Sequence, residues 1–81
     1  MLEEITNELK EQLSDIRYDY DHINQESFEY EKWNIDQRMQ TLRTAVCSLR
    51  EARLVNKAKF EYWIDLIDEV SLHIGNRKRV D

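Results

Sequence analysis

Proline is absent from the 81 residues, and glycine and cysteine occur once each. Each scarcity excludes something. With one glycine and no proline the chain has almost no turn vocabulary, so sheets stitched together by tight turns are disfavoured and a nearly all-helical chain is expected. A lone cysteine, Cys47, cannot close an internal disulfide; it reads as a small reduced residue on a helix. No apolar run approaches the ~20 residues that a membrane span needs. The acidic N-terminus lacks the apolar stretch of a secretory leader. A cytoplasmic setting without a membrane partner is therefore expected.

The sequence is also poor in chemistry. It has no Gly-rich phosphate loop, no zinc-type Cys/His spacing and no nucleophile–base constellation. Asp19 and His22 stand three apart, with Asp15 and Glu26 nearby. Bundles that hold two metal ions use Glu-x-x-His on two helices, and here there is one pair, with Asp in place of Glu. No enzyme and no cofactor are expected.

Charge, by contrast, is plentiful at 36% of residues and is arranged in blocks. Residues 1–36 carry 3 basic and 11 acidic side chains, 37–59 carry 6 and 1, 60–75 carry none and 4, and 76–81 carry 3 and 1. Segments of opposite sign can choose one another as packing partners.

Apolar residues supply the architecture. Leu2, Ile5, Leu9, Leu13, Ile16, Tyr20 and Ile23 step by threes and fours and predict an amphipathic helix over 2–22. Glu3 and Glu4 complement the dipole of its first turn. A second, longer pattern runs through Ile35, Met39, Leu42, Val46, Leu49, Arg53, Asn56, Phe60, Trp63, Ile67, Val70 and Ile74. This is an a/d heptad with ten of its twelve positions apolar, and no strong breaker lies within it. It predicts one coiled-coil-like helix over 35–74, opened by an Asn34/Gln37 capping box and closed by Gly75. Such a helix would be about 60 Å long and would need a partner. A break at 53–59, with the chain folding back, is the weaker alternative. Between the two helices, residues 16–33 alternate aromatic and acidic side chains. A β-hairpin there is the lesser reading; the preferred one is a loop with Ser27 capping a new helix.

The expected fold is thus all-α: a helical hairpin or small helical bundle over residues 1–75, with a basic tail at 76–81. A chain this short is marginally stable alone, so a homodimer or higher homo-oligomer is expected. The expected function is a small non-catalytic protein-interaction module, such as an adaptor, an assembly chaperone or an inhibitor of a larger complex. Its contact residues are expected among Phe60, Tyr62, Trp63, Ile67 and Val70, where the apolar surface widens, and among the aromatics of 18–33, above all Tyr30 and Trp33. The alternative is a nucleic-acid-binding regulator that uses a basic stripe of Arg43, Arg50, Arg53, Lys57 and Lys59. The chain as a whole is acidic, and no aromatics interleave the stripe for base stacking. Nucleic acid is therefore the lesser partner, and charge pairing inside the fold is the expected use of the stripe. No small-molecule substrate is expected.

Overall fold

The computed structural model describes residues 2–76, the side chain of Asn76 excepted. The chain forms three α-helices, α1 (Leu2–Asp21), α2 (Phe28–Glu51) and α3 (Lys57–Asn76), with a single 3-10 turn (Gln25–Ser27) before α2. They run up, down and up in a rod of 44 × 19 × 16 Å. Neither strand nor hairpin occupies 16–33, where the end of α1, the 3-10 turn and the start of α2 lie.

The apolar stripe of the first segment is the inner face of α1. Leu9, Leu13, Ile16 and Tyr20 are buried, and Ile23 follows them into the core just past the helix end. The two connections are built by side-chain oxygens instead of glycines. Asn24 Oδ1 accepts the Glu26 N–H at 3.0 Å and starts the 3-10 turn. Ser27 stands at the N-cap position of α2, but its hydroxyl donates to the Glu31 carboxylate and accepts no backbone N–H.

The expected long helix is broken. The heptad positions are core positions on both sides of the break: Ile35, Met39 and Val46 on α2, and Trp63, Ile67, Val70 and Ile74 on α3. Leu42, Leu49 and Phe60 pack half-buried beside them. Between Glu51 and Lys57, however, the backbone leaves the helix. The Leu54 N–H reaches back to the Leu49 carbonyl and the Arg53 N–H to the Arg50 carbonyl, each at 3.0 Å. This pair of bonds is the Schellman closure of a helix, whose turning residue must be left-handed. Arg53 takes that role at φ 60°, at a cost of about 1 kcal/mol for a residue with a Cβ. Three residues on, Asn56 Oδ1 accepts the Lys59 N–H at 2.8 Å and caps α3. A good N-cap contributes about 1 kcal/mol. Val55, buried between them, pins the connection to the core.

The two polar members of the heptad, Arg53 and Asn56, are therefore the turn and the cap of a helix–helix connection. The partner that the seam needs lies in the same chain: its two halves pack on each other and on α1. Two further expectations change with it. Asn34 lies inside α2 and opens no helix, and Gly75 lies inside α3 with no left-handed φ.

Two buried hydrogen bonds fix α1 against α3, one near each end of the rod. The Trp63 indole N–H donates to Thr6 Oγ1 at 2.7 Å, and the Thr6 hydroxyl donates to the Leu2 carbonyl at 3.0 Å. The Tyr20 hydroxyl donates to the Ile74 carbonyl at 2.9 Å. Among the described residues no buried side-chain nitrogen or oxygen lacks a partner. The helices also exchange charge. Arg38 on α2 meets Asp19 on α1 at 2.7 Å, and Arg43 on α2 meets Asp68 on α3 at the same distance. No helix among the described residues is long and apolar enough to cross a membrane.

Candidate recognition surface

The expected contact residues divide according to the side of the bundle on which the helix periodicity places them. Trp63 and Ile67 are completely enclosed and Val70 nearly so. They hold the molecule together, and no partner can reach them in the folded chain. The breadth of apolar surface on 60–74 has a simple origin: α3 packs against α1 on one flank and α2 on the other. Phe60 is half-buried against the core. Tyr62 is exposed, and the ammonium groups of Lys10 and Lys59 each lie 5.8 Å from its ring centroid.

The aromatic group at 18–33 also divides. Tyr20 is fully buried, in step with Ile16 and Ile23, and Phe28 is half-buried in step with Ile35. Tyr18 lies on the outer face of α1, stacked on the His22 ring with centroids 4.1 Å apart. Tyr30 and Trp33 fall out of step with the α2 seam and stand outside, 70% and 58% exposed. Holding an indole and a phenol in water costs hydrophobic free energy that burial would recover, on the order of 2 kcal/mol each. Exposed Trp and Tyr of this kind are the residue types that dominate binding surfaces.

Trp33 borders a groove of about 400 Å³ between the first turns of α2 and the last turns of α3. Phe28, Tyr20 and Ile74 contribute its apolar lining, Gly75 opens one wall, and Glu29, Lys32 and Asp36 supply charge. Lys32 and Asp36 pair across one helical turn at 2.9 Å. Ile74 was legible in the sequence as a core residue, but that it also faces this groove follows only from the fold-back of α3.

The basic stripe does not lie along one helix. Arg43 is committed to Asp68. Arg50 flanks the end of α2, Arg53 is the left-handed turn residue, and Lys57 opens α3, 4.0 Å from Glu61. Lys59 lies beside Tyr62. The break at 52–56 divides these cations among α2, the connection and α3. The tail expected at 76–81 falls, apart from the backbone of Asn76, outside the described residues.

The Asp/His pairs serve the fold. Asp19 is the ion partner of Arg38, and the His22 Nδ1–H donates to the Tyr18 carbonyl at 2.8 Å. His73 Nε2 lies 2.7 Å from Asp21 and joins the ends of α1 and α3. Among the described residues no three His, Cys, Asp or Glu side chains cluster as a metal site. No family model, curated protein or solved structure matches the chain.

Proposed function

We propose that the chain is a non-catalytic protein-recognition module whose contact surface is the outer face of α2 at Tyr30 and Trp33, with the groove beside it. One observation carries this reading: of the four aromatic side chains left exposed, Tyr30 and Trp33 stand three residues apart on the outer face of α2, on a bundle that has a shared core within one chain. A closed core alters the role of self-association. A second copy is not needed to cover the heptad seam, so any oligomer uses the outer faces. The commitment of Arg43 to Asp68 and the net charge of −5 weigh against the nucleic-acid alternative, since phosphate binding needs available cations.

The test is cross-linking of the tagged chain in cells that express it natively, comparing wild type with Tyr30→Ala/Trp33→Ala. Both positions are exposed, so the variant is expected to melt within about 0.5 kcal/mol of wild type. The proposal expects discrete cross-linked complexes that the double substitution removes. Complexes that survive it unchanged would refute the surface. Co-sedimentation with a random-sequence DNA duplex that dissolves as salt rises would favour the cationic alternative.

A further inference from the structure

Helix α2 carries stripes on two opposite sides. The inner one, Ile35, Met39, Leu42 and Val46, faces the core. The outer one, Tyr30, Trp33, Gln37, Gln40, Thr44 and Cys47, repeats the same alternation of threes and fours and faces away from it. Cys47 is half-buried and the others are exposed. None of them is charged, although 36% of the chain is. The outer faces of the other helices differ: Glu4, Glu8, Glu11 and Asp15 run along α1, and Glu61, Asp65 and Glu69 along α3. Among the described residues no hydrogen bond, ion pair or ring contact engages any side chain of the outer α2 stripe. An uncharged a/d stripe on the outside of a bundle helix is the seam of a further helix pair.

The residues of the stripe specify the partner. Side-chain size falls along it, from Tyr30 and Trp33, through the two glutamines, to Thr44 and Cys47. A second copy laid antiparallel, about a twofold axis between Gln37 and Gln40, sets Tyr30 against Cys47, Trp33 against Thr44 and Gln37 against Gln40 of the other chain. Large meets small in the outer layers, so the helices close without a gap at either end. In the central layers each amide offers a donor and an acceptor to the other. A parallel pair instead puts Trp33 on Trp33 and Thr44 on Thr44, with a bulge at one end and a gap at the other. Charge on the flank agrees. Glu29 and Asp36 stand beside the first half of the stripe, and Arg43 and Arg50 beside the second, so the antiparallel register brings acid over base. Asp36 and Arg43 keep their own partners, Lys32 and Asp68; the flank contributes a complementary field and not new bonds.

We propose that α2 pairs antiparallel with α2 of a second copy of this chain through the stripe from Tyr30 to Cys47. The proposal rests on the recognition-surface reading above and names a second copy as the occupant of that surface. Each copy keeps its own closed core, so distances within one chain are the same in monomer and dimer.

Sedimentation velocity of the full chain over a range of concentrations tests the pairing. A reversible monomer–dimer equilibrium is expected. Trp63 is enclosed, so acrylamide quenching reports on Trp33, which is expected to become shielded as the dimer forms. Trp33→Ala is expected to weaken the dimer about 10-fold or more. Thr44→Glu, which sets a carboxylate against the indole, should abolish it. Both sites are exposed, so helix content by circular dichroism stays that of the wild type. Leu72→Ala, on the exposed side of α3, should leave the dimer unchanged. A short bis-maleimide reads the orientation. Cys47 is the one cysteine, and in the antiparallel register its two copies lie about 25 Å apart. The wild type should therefore not cross-link. Tyr30→Cys should give a covalent dimer, because positions 30 and 47 are about 25 Å apart within one helix and adjacent only between chains. A chain that stays monomeric at the highest concentration, a dimer indifferent to Trp33→Ala, or one lost with Leu72→Ala overturns the second-copy assignment. Wild-type cross-linking through Cys47, or none with Tyr30→Cys, overturns the antiparallel register. The recognition surface fails separately, if the cellular cross-links ignore Tyr30→Ala/Trp33→Ala. A monomeric chain whose cellular cross-links still need Tyr30 and Trp33 overturns the second copy and leaves the surface to a different protein.

Discussion

Replacing Thr6 by Val isolates the hydrogen bond that locks α1 to α3. The side chains have nearly the same shape, so packing is conserved and only the hydroxyl is lost. In the wild type that hydroxyl accepts the Trp63 indole N–H at 2.7 Å, at a site where Thr6 is 8% exposed and Trp63 is fully enclosed. After the substitution the indole N–H is buried with no acceptor, which costs about 1–3 kcal/mol. The Leu2 carbonyl also loses a donor, a smaller effect because it lies in the first turn, where the backbone bond to Thr6 remains. For a domain of this length total stability is about 4–12 kcal/mol. A loss of ~2 kcal/mol would lower the melting temperature by about 8–16 °C. Urea unfolding followed by circular dichroism measures it as a fall in midpoint at constant slope. Thr6→Ser keeps the acceptor and should lose only about 1 kcal/mol, for a methyl group. A double-mutant cycle with Trp63→Phe sharpens the test. Once the donor is gone, Thr6→Val should cost less, with a coupling of about 1 kcal/mol or more. A Thr6→Val chain as stable as wild type, with additive double-mutant energies, would refute the reasoning.

Three further outcomes follow from the same structure. At the α2–α3 connection, Arg53→Gly should stabilise the fold by up to about 1 kcal/mol, because glycine takes the left-handed conformation without the Cβ clash. Asn56→Ala should destabilise it by about 0.5–2 kcal/mol and Asn56→Asp hardly at all, all read as shifts in urea midpoint. Trp63→Ala should cost about 3–5 kcal/mol through the cavity it leaves. It would show as a chain that is partly unfolded at physiological temperature, not as one that stays fully helical and merely loses a partner.

How much of this was legible in the sequence differs from element to element. The face of α1 was readable residue by residue, since every member of the 2–23 pattern lies at least half-buried. The seam residues of 35–74 were readable as well, but as the face of one continuous helix and not of two that fold back. Leu49, Arg53, Asn56 and Phe60 are spaced by four, three and four, so the heptad count passes through the connection without a slip although the backbone is not helical there. The signal of the break was chemical: two adjacent polar seam positions, with Asn56, a strong N-cap residue, three before Lys59. Without glycine or proline, that signal looked like a register-setting polar layer, and the fold-back ranked second. Burial of Trp63, Ile67 and Val70 then follows from the fold-back, because only a third helix lying between two neighbours uses so broad an apolar face. Charge blocks indicated that helices would pair by sign. They did not indicate that Arg43 would select Asp68 on α3 over the acidic α1. Tyr30 and Trp33 were identified as surface candidates, and their phase relative to Ile35 places them outside.

The chain turns back at 52–56 and closes its own seam. A distance between spin labels at positions 36 and 75 tests it most directly, in a chain with Cys47→Ser and with Asp36 and Gly75 replaced by cysteine. A Cβ at position 75 meets nothing within 4 Å, so the label is tolerated. Both positions border the same groove, on neighbouring helices whose axes pack about 8–10 Å apart. A label separation of about 20 Å is expected, unchanged when labelled chain is diluted into unlabelled chain. A continuous helix would separate the labels by about 58 Å. That distance, or a short one that disappears on dilution because it joins two chains, would contradict the fold.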